Sequence, residues 1–253
     1  MEQPTKQLVK QFNELYIQTR RKYLAQFADG RYFTLSYAPS NKTVKFNDSM
    51  LHTHLKGDIT YGVFAGGRVS KFITFDVDCN DSAMSRWITL KLIDVLENEA
   101  NIPRKDIHVS FSGNKGYHVD IFFDKQVKVD ALKEFYHNVL VKVGTLPDGQ
   151  VEFRPSWTQG VKIPLGVHQK TGNRCVFVDN ETLEPYNYEE SCEYFLRIEP
   201  LQAEVITEST IDLTDEQVTE FEEVVASTDI TVNAVDLSGA LQRAKRILDN
   251  GRL

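Results

Sequence analysis

Cysteine is scarce in this chain. Cys79, Cys175 and Cys192 stand far apart among 253 residues and are odd in number. They form neither a disulfide ladder nor a C-x-x-C zinc knuckle, so a reducing cytoplasm is the expected setting. Long apolar runs are missing, and no segment is expected to span a membrane. The opening residues, Met1-Glu2-Gln3-Pro4-Thr5, lack a signal-peptide pattern. Positive charge is in deficit: 29 Lys and Arg stand against 36 Asp and Glu, a net charge of -7. That excludes a protein coated in basic residues for nucleic acid. Acid is missing in turn from one stretch. Between Phe153 and Val178 there is no Asp or Glu, while Arg154, Lys162, Lys170 and Arg174 are present. A local positive site in an acidic protein suits a small anionic ligand or a weakly held strand. From Asp179 to Glu223 acids dominate.

What is there centres on Phe72-Ile73-Thr74-Phe75-Asp76-Val77-Asp78. It reads as a buried strand ending in two carboxylates. Side chains on a strand alternate faces, so Asp76 and Asp78 share one face and Ile73, Phe75 and Val77 the other. Two like charges this close call for a counter-charge, and a hard divalent cation is a common one. The plain alternative is a strand end whose acids meet water.

The chain is long enough for one large domain or two joined modules. Residues 5–28 read as an amphipathic helix with Leu8, Phe12, Leu15 and Tyr16 on its apolar stripe. Arg20, Arg21 and Lys22 fall on its exposed side, as a solvated face or a phosphate contact. Tyr32–Tyr37 alternates as a strand. His52 and His54 lead to a short strand at Thr60–Phe64 and lack the further ligand a metal site needs. Ser82 or Ser85 caps a helix through Trp87 to Leu96. Ile107–Ser112 and Tyr117–Phe123 are strands joined by Gly113-Asn114-Lys115-Gly116, a hairpin signature. A helix over 130–142 and a strand at Gln150–Arg154 follow. Arg174–Val178 reads as a further strand. A capping box at Thr214 and Gln217 opens an acidic helix, and Leu237, Leu241, Ala244 and Leu248 mark a last one. Its stop at Asn250-Gly251, almost at the chain's end, suits a domain cut from a longer protein.

Strand, helix, strand, strand, helix, strand is the split-βαβ order, an α+β arrangement with an antiparallel sheet and helices on one face. The opposite face is then expected to be free for function. It carries Asp76, Asp78, Ser110, Ser112, His118, Asp120, Glu152 and Arg154, while Ile73, Phe75, Val77, Val109, Phe111, Val119, Ile121, Val151 and Phe153 pack under the helices.

Three carboxylates, Asp76, Asp78 and Glu152, are the minimum for a pair of Mg²⁺ or Mn²⁺ ions that clamp a phosphoryl displacement. Ser112, His118, backbone amides near Gly113 and Gly116, and Lys162, His168 and Lys170 offer donors to a polyphosphate. Each has a plain alternative: a tight hairpin, solvated lysines, a satisfied sheet histidine. The binding reading has to explain why the strand-borne candidates share one face.

These residues also resemble a known family. Phe75-Asp76-Val77-Asp78 is similar to the hydrophobic-D-x-D motif of the archaeo-eukaryotic primase superfamily. Ser112-Gly113-Asn114-Lys115-Gly116-Tyr117-His118-Val119 resembles its S-G-x-x-G-x-H-V motif. Lys162-Ile163-Pro164-Leu165-Gly166-Val167-His168-Gln169-Lys170-Thr171-Gly172 is similar to the basic-x-P-x-small-x-H-x-K-T-G segment of archaeal primase catalytic subunits. The resemblance spans about residues 57–180 and is strongest to bacterial primase-polymerases of CRISPR or conflict systems and mobile elements. It implies a template-dependent nucleotidyltransferase using NTPs or dNTPs on a single-stranded DNA template and primer. Asp76, Asp78 and Glu152 would bind two Mg²⁺ or Mn²⁺ ions. Ser112, Gly113, Lys115, Gly116, His118, Lys162, His168 and Lys170 would hold the nucleotide. Glu152 stands where many relatives have Asp. The zinc-binding cysteines of archaeal subunits are absent, so no zinc is expected. Helicase, nuclease or CRISPR proteins are the expected partners, and no membrane. Three parts are expected: an α/β module over 1–70, an RRM-like catalytic module over 71–180 and an acidic helical extension over 181–253. The rival readings are a nonenzymatic RRM-like binder of single strands and a metal-dependent nuclease.

Overall fold

In strand β4 (Val69–Val77), alternation decides which side of the protein each residue serves. Ile73, Phe75 and Val77 are fully buried in one hydrophobic core, and Phe72 in another. The computed structural model describes residues 2–40, 43–144, 151–208, 211, 213–214 and 217–219.

Strand β4 is followed by helix α3 (Ser82–Asn98), strands β5 (His108–Phe111) and β6 (Tyr117–Lys128), helix α4 (Val129–Val143) and strand β7 (Val151–Arg154). Their sheet has the order β5-β6-β4-β7 with every neighbour antiparallel, the expected split-βαβ order. One face packs Ile73, Phe75, Val109, Val119, Ile121, Val151 and Phe153 against Ile88, Leu92 and Leu96 of α3 and Leu132, Phe135 and Val139 of α4. Each fully buried phenylalanine or leucine there contributes about 1.5–3 kcal/mol. The cap of α3 is Asp81 rather than Ser82 or Ser85. Its carboxylate accepts from Met84 N at 2.8 Å and so supplies the helix's first turn with an acceptor.

A second antiparallel sheet has the order β2-β1-β3-β8. It joins β1 (Lys22–Gln26), β2 (Tyr32–Ser36), β3 (Thr60–Val63) and β8 (Val161–Lys162). The acid-free stretch thus runs from β7 of the first sheet into β8 of the second. Helices α1 (Glu2–Leu15), α2 (Asp48–Lys56) and α5 (Tyr188–Leu196) share a core with this sheet, built on Phe12, Tyr16, Leu51, Tyr61 and Phe195. A short helix α6 (Glu204–Glu208) follows.

The first helix ends at Leu15, and Lys22–Gln26 is a strand. Pairing with β2 and β3 on both sides outweighs the helical preference of its Leu, Ala and Gln. Arg20 is a corner brace: it donates to Asn13 Oδ1 at 2.6 Å, Asp48 Oδ1 at 2.8 Å and the Phe46 carbonyl. His52 and His54 lie in α2, between an Asn47 cap and a left-handed Gly57. Buried His54 bonds Tyr61 N and the Pro164 carbonyl. Residues 174–178 make isolated bridges rather than a strand, Val167 to Arg174, Ser110 to Phe177 and Val178 to Pro185. The Thr214–Gln217 capping box forms, with Gln217 N donating to Thr214 Oγ1. The helix expected from it lies mostly outside the described residues, as does the one over Leu237–Leu248.

The free face is only half free. At one end Phe72 and Phe122 meet Tyr16 edge to face, with ring centroids 5.0 Å away in each case. Asp120, expected to be exposed, is 1 % exposed. Its oxygens accept from the Tyr16 hydroxyl at 2.6 Å and the Thr74 hydroxyl. Burial, more than Asp76, pushes this carboxyl from 3.8 to about 7, against the pull of the two hydroxyls. A raised acid stabilises the fold below its unfolded pKa and loses that contribution as pH climbs through 7. Asp120→Asn cannot titrate. Between pH 4 and pH 8 its stability relative to wild type should therefore rise by about 4 kcal/mol. Urea unfolding at several pH values measures this, and a pH-independent difference would contradict it.

Candidate active site

The open end of the same face builds a cavity of about 290 Å³. Cross-strand register brings its parts together. Asp76 lies opposite His118 on β6 and opposite Glu152 on β7, and His118 lies opposite Ser110 on β5. From this sheet Asp76, Asp78, Ser112, Asn114, His118 and Arg154 line the cavity. Leu24, Tyr32 and Lys162 come from one face of the other sheet, as the pairs Leu24–Gly62, Gln26–Tyr32 and Gly62–Lys162 require. His168, in the loop after β8, completes the wall.

Two opposite tendencies meet here. Burial raises the pKa of Asp76, with Arg154 and Lys162 opposing. Burial also raises Asp78, helped by Asp76 and opposed by Lys115, Lys162 and His168. His118 is lowered well below its usual value, by burial first and then by Lys162 and Arg154. The imidazole is therefore neutral near pH 7, with Nε2 3.5 Å from Asp76 Oδ1. The carboxylates favour an added cation, and the neutral ring and lysine are donors toward an anion.

Lys162 is 7 % exposed, and its ammonium donates to the Ser112 carbonyl. This bond pins β8 of one sheet to the β5–β6 turn of the other. That turn closes with Ser112 N donating to the Gly116 carbonyl at 2.9 Å and Gly116 N to Ser112 Oγ at 3.2 Å. Gly113 has φ +84, and a Cβ there would meet His168 Cβ at 2.5 Å. His168 itself is braced. Gln26 Nε2 approaches its Nε2 at 3.4 Å, and its Nδ1 is 3.0 Å from Thr171 Oγ1. Because Thr171 donates to the Gly113 carbonyl, Nδ1 carries the proton. Burial, with Lys162 and Lys170, lowers the His168 pKa.

Not every expected residue lines the cavity. Gly113 and Gly116 shape the turn from behind it. Lys115 and Lys170 are exposed, and Lys170 packs over Gly30. The Glu152 side chain is half exposed and held by the Arg154 guanidinium, whose Nε is 3.6 Å from Asp76 Oδ2. Arg154 thus sits between the two acids as their shared counter-charge. Its Nη1 is buried and makes no hydrogen bond among the described residues.

Whether a divalent ion fits can be judged from these donors. No trio of His, Cys, Asp or Glu is close enough to hold a metal among the described residues. Asp76 and Asp78 alone suit a Mg²⁺-like ion, which commonly takes one or two carboxylates and completes its shell with water and phosphate. Glu152 would join only if Arg154 yielded. The unsatisfied Nη1 leaves that guanidinium with an N–H to donate to an anionic oxygen.

Tyr32, Leu24 and Asn114 were not foreseen as lining residues. Burial raises the Tyr32 hydroxyl pKa, with Cys175, Asp76 and Asp78 adding to it. Its sequence signal was its place at the head of an alternating strand, which names a face but not what the face meets.

A family model described as "TOTE conflict system, Archaeo-Eukaryotic Primase domain" matches residues 7–209. Among solved structures, the chain is similar to the AEP domain of cyanophage S-2L primase-polymerase, with 15% identity and a TM-score of 0.42. That match covers 75% of this chain and 97% of the other. It is also similar to the polymerase domain of Mycobacterium tuberculosis Ligase D in complex with DNA, with 15% identity and a TM-score of 0.43, covering 80% and 86%. No curated protein matches it.

Proposed function

The chain belongs to the archaeo-eukaryotic primase domain family of TOTE conflict systems, and from that premise we propose that it is a template-dependent nucleotidyltransferase, a primase-polymerase. One observation carries the reading: a carboxylate pair on one sheet faces a buried lysine from the other across one cavity, with a neutral histidine and a serine turn beside them. Neither rival reading needs that combination of acids with anion donors.

In this proposal Asp76 and Asp78, with Glu152 once Arg154 turns away, hold Mg²⁺ or Mn²⁺. Such ions, when bound, stabilise the charge on the attacking and leaving oxygens. Lys162 and Arg154 bring positive charge to the nucleotide's phosphates, and Ser112 and His118 donate hydrogen bonds. Gly113 and Gly116 let the turn approach closely. Lys115 and Lys170 meet the outer phosphates at the rim, and His168 holds the loop that carries Lys170. A 3′-hydroxyl attacks the α-phosphate, and pyrophosphate leaves. A single-stranded template with a primer is the proposed partner, alongside helicase, nuclease or CRISPR modules, in the cytoplasm. Among the described residues no helix is long and apolar enough to cross a membrane.

The test is incubation with a primed template, labelled NTPs or dNTPs and Mg²⁺ or Mn²⁺. Template-matched extension that a chelator abolishes is expected. Shortened strands without extension would indicate a nuclease. Metal-independent strand binding with no product would indicate a binding module. Either result overturns the proposal.

A further inference from the structure

Lys22 and Trp157 are chain neighbours of residues that line the cavity without lining it themselves. Lys22 is two residues before the lining residue Leu24 on β1 and shares its face of the sheet. Trp157 lies between Arg154 and Gly160, which both line the cavity. The two meet: Lys22 Nζ donates to the Trp157 carbonyl at 2.6 Å and lies 5.1 Å from the centre of the indole. The same ammonium is 4.4 Å from the ring of fully buried Phe64.

The loop that presents Trp157 is tightly tied. Ser156 N donates to the Gln159 carbonyl at 2.8 Å. Ser156 Oγ accepts from Thr158 N at 3.2 Å and Gln159 N at 2.9 Å. Ala65 N donates to the Ser156 carbonyl, fixing the loop to the chain after β3. Trp157 is nevertheless 49% exposed. A large aromatic ring held out to solvent on a stapled turn loses little conformational freedom when something stacks on it. A lysine over one face of the ring, with the other face left to a stacking partner, and no acid between Phe153 and Val178 make the surroundings favourable to a phosphate backbone.

We infer that Trp157 and Lys22 form a shelf at the cavity mouth on which one unpaired base of a single-stranded nucleic acid stacks, with its phosphate on the ammonium. This pairing of an aromatic face with a cation is how strands are gripped without sequence preference. The occupant is chosen by continuity with the cavity, so the inference rests on the polymerase reading. It adds a place for the template strand that the reacting groups do not supply.

The chain has two tryptophans, Trp87 and Trp157. Trp87 lies on α3, in the helical layer that covers the other face of its sheet. In a Trp87→Phe protein the indole signal therefore reports the shelf alone. Titration with an unlabelled thymidine oligonucleotide should quench that signal to saturation. Anisotropy of a labelled oligonucleotide should show Trp157→Ala binding about 5- to 150-fold more weakly, the range for losing one stacked base. Trp157→Phe should recover most of this, and Lys22→Ala should flatten the salt dependence. Oligonucleotide binding that leaves the Trp157 signal unchanged would overturn the shelf while leaving the polymerase reading standing. Templated extension without quenching would do the same. If the protein neither binds the strand nor extends a primer, the polymerase reading fails and the shelf with it.

Discussion

Asp76→Asn will lower templated nucleotide incorporation by about a thousandfold or more and leave the protein at least as stable as before. Activity falls because the amide keeps the shape of the carboxylate but loses its charge. In the proposed mechanism Asp76 is the central ligand, with Asp78 on its own strand side and Glu152 directly across. Electrostatic stabilisation of a phosphoryl displacement by bound metal amounts to several kcal/mol, and about 4 kcal/mol is a thousandfold in rate. Stability is preserved because the carboxylate is not at ease in the fold. Burial already raises its pKa, despite Arg154 and Lys162 nearby. Its neighbour Asp78 is raised partly by Asp76 itself. Removing one of two like charges relieves the other, and Arg154 keeps Glu152 as a partner. Primer-extension rates and thermal melting of the same preparations test both halves. Extension within tenfold of wild type would remove Asp76 from the chemistry. A large fall in melting temperature would show it to be a structural acid.

The same strand shows how far the sequence could be read. Alternation along β4, β5, β6 and β7 assigned the buried face residue by residue, and the core follows it. The register then follows from packing, since a slip of one residue would turn Phe75 out and Asp76 in. Alternation says which side a residue faces and nothing about what lies there. Tyr16 reads as one more apolar residue on a helix stripe, yet its hydroxyl reaches across 104 positions to Asp120. No local pattern carries that contact, so the buried half of the polar face was invisible. Arg154 was placed on the correct face, but its position between Asp76 and Glu152 depends on a side-chain path that spacing does not encode. Helix α2 is different, because its signals were present. Asn47-Asp48-Ser49 opens it and Gly57 closes it, and the paired histidines drew the reading elsewhere. Lys22–Gln26 carries a helical pattern, because the partners that make it a strand lie up to about 40 residues away.

Gly116→Ala is the smallest change expected to damage fold and site together. The glycine needs no unusual dihedral; its requirement is space. A Cβ at this position would lie 1.8 Å from the Val77 carbonyl oxygen and 3.2 Å from the Asp78 Cα. Both obstacles are backbone, so no side chain can swing aside. Val77 is the last residue of β4, paired with Tyr117, and the turn is closed by the Ser112–Gly116 bonds. The added methyl can be accommodated only if the turn and the end of β4 move apart. Overpacking of a tight site costs about 1–3 kcal/mol and sometimes more, and a backbone obstacle puts this case at about 3 kcal/mol. The separation also carries Ser112 and His118 away from Asp76 and Asp78, and a displacement of about 1 Å between reacting groups can cost a hundredfold in rate. Gly66→Ala supplies the control, since its nearest foreign atom would be 3.6 Å away and its backbone is unremarkable. Gly66→Ala should stay within about 1 kcal/mol of wild type in urea unfolding and keep its extension rate. Gly116→Ala should lose about 3 kcal/mol and, at temperatures where it remains folded, about a hundredfold in extension. Equal behaviour of the two variants would mean that the turn does not press on the aspartate strand, and the route by which the two motifs are held in register would have to lie elsewhere.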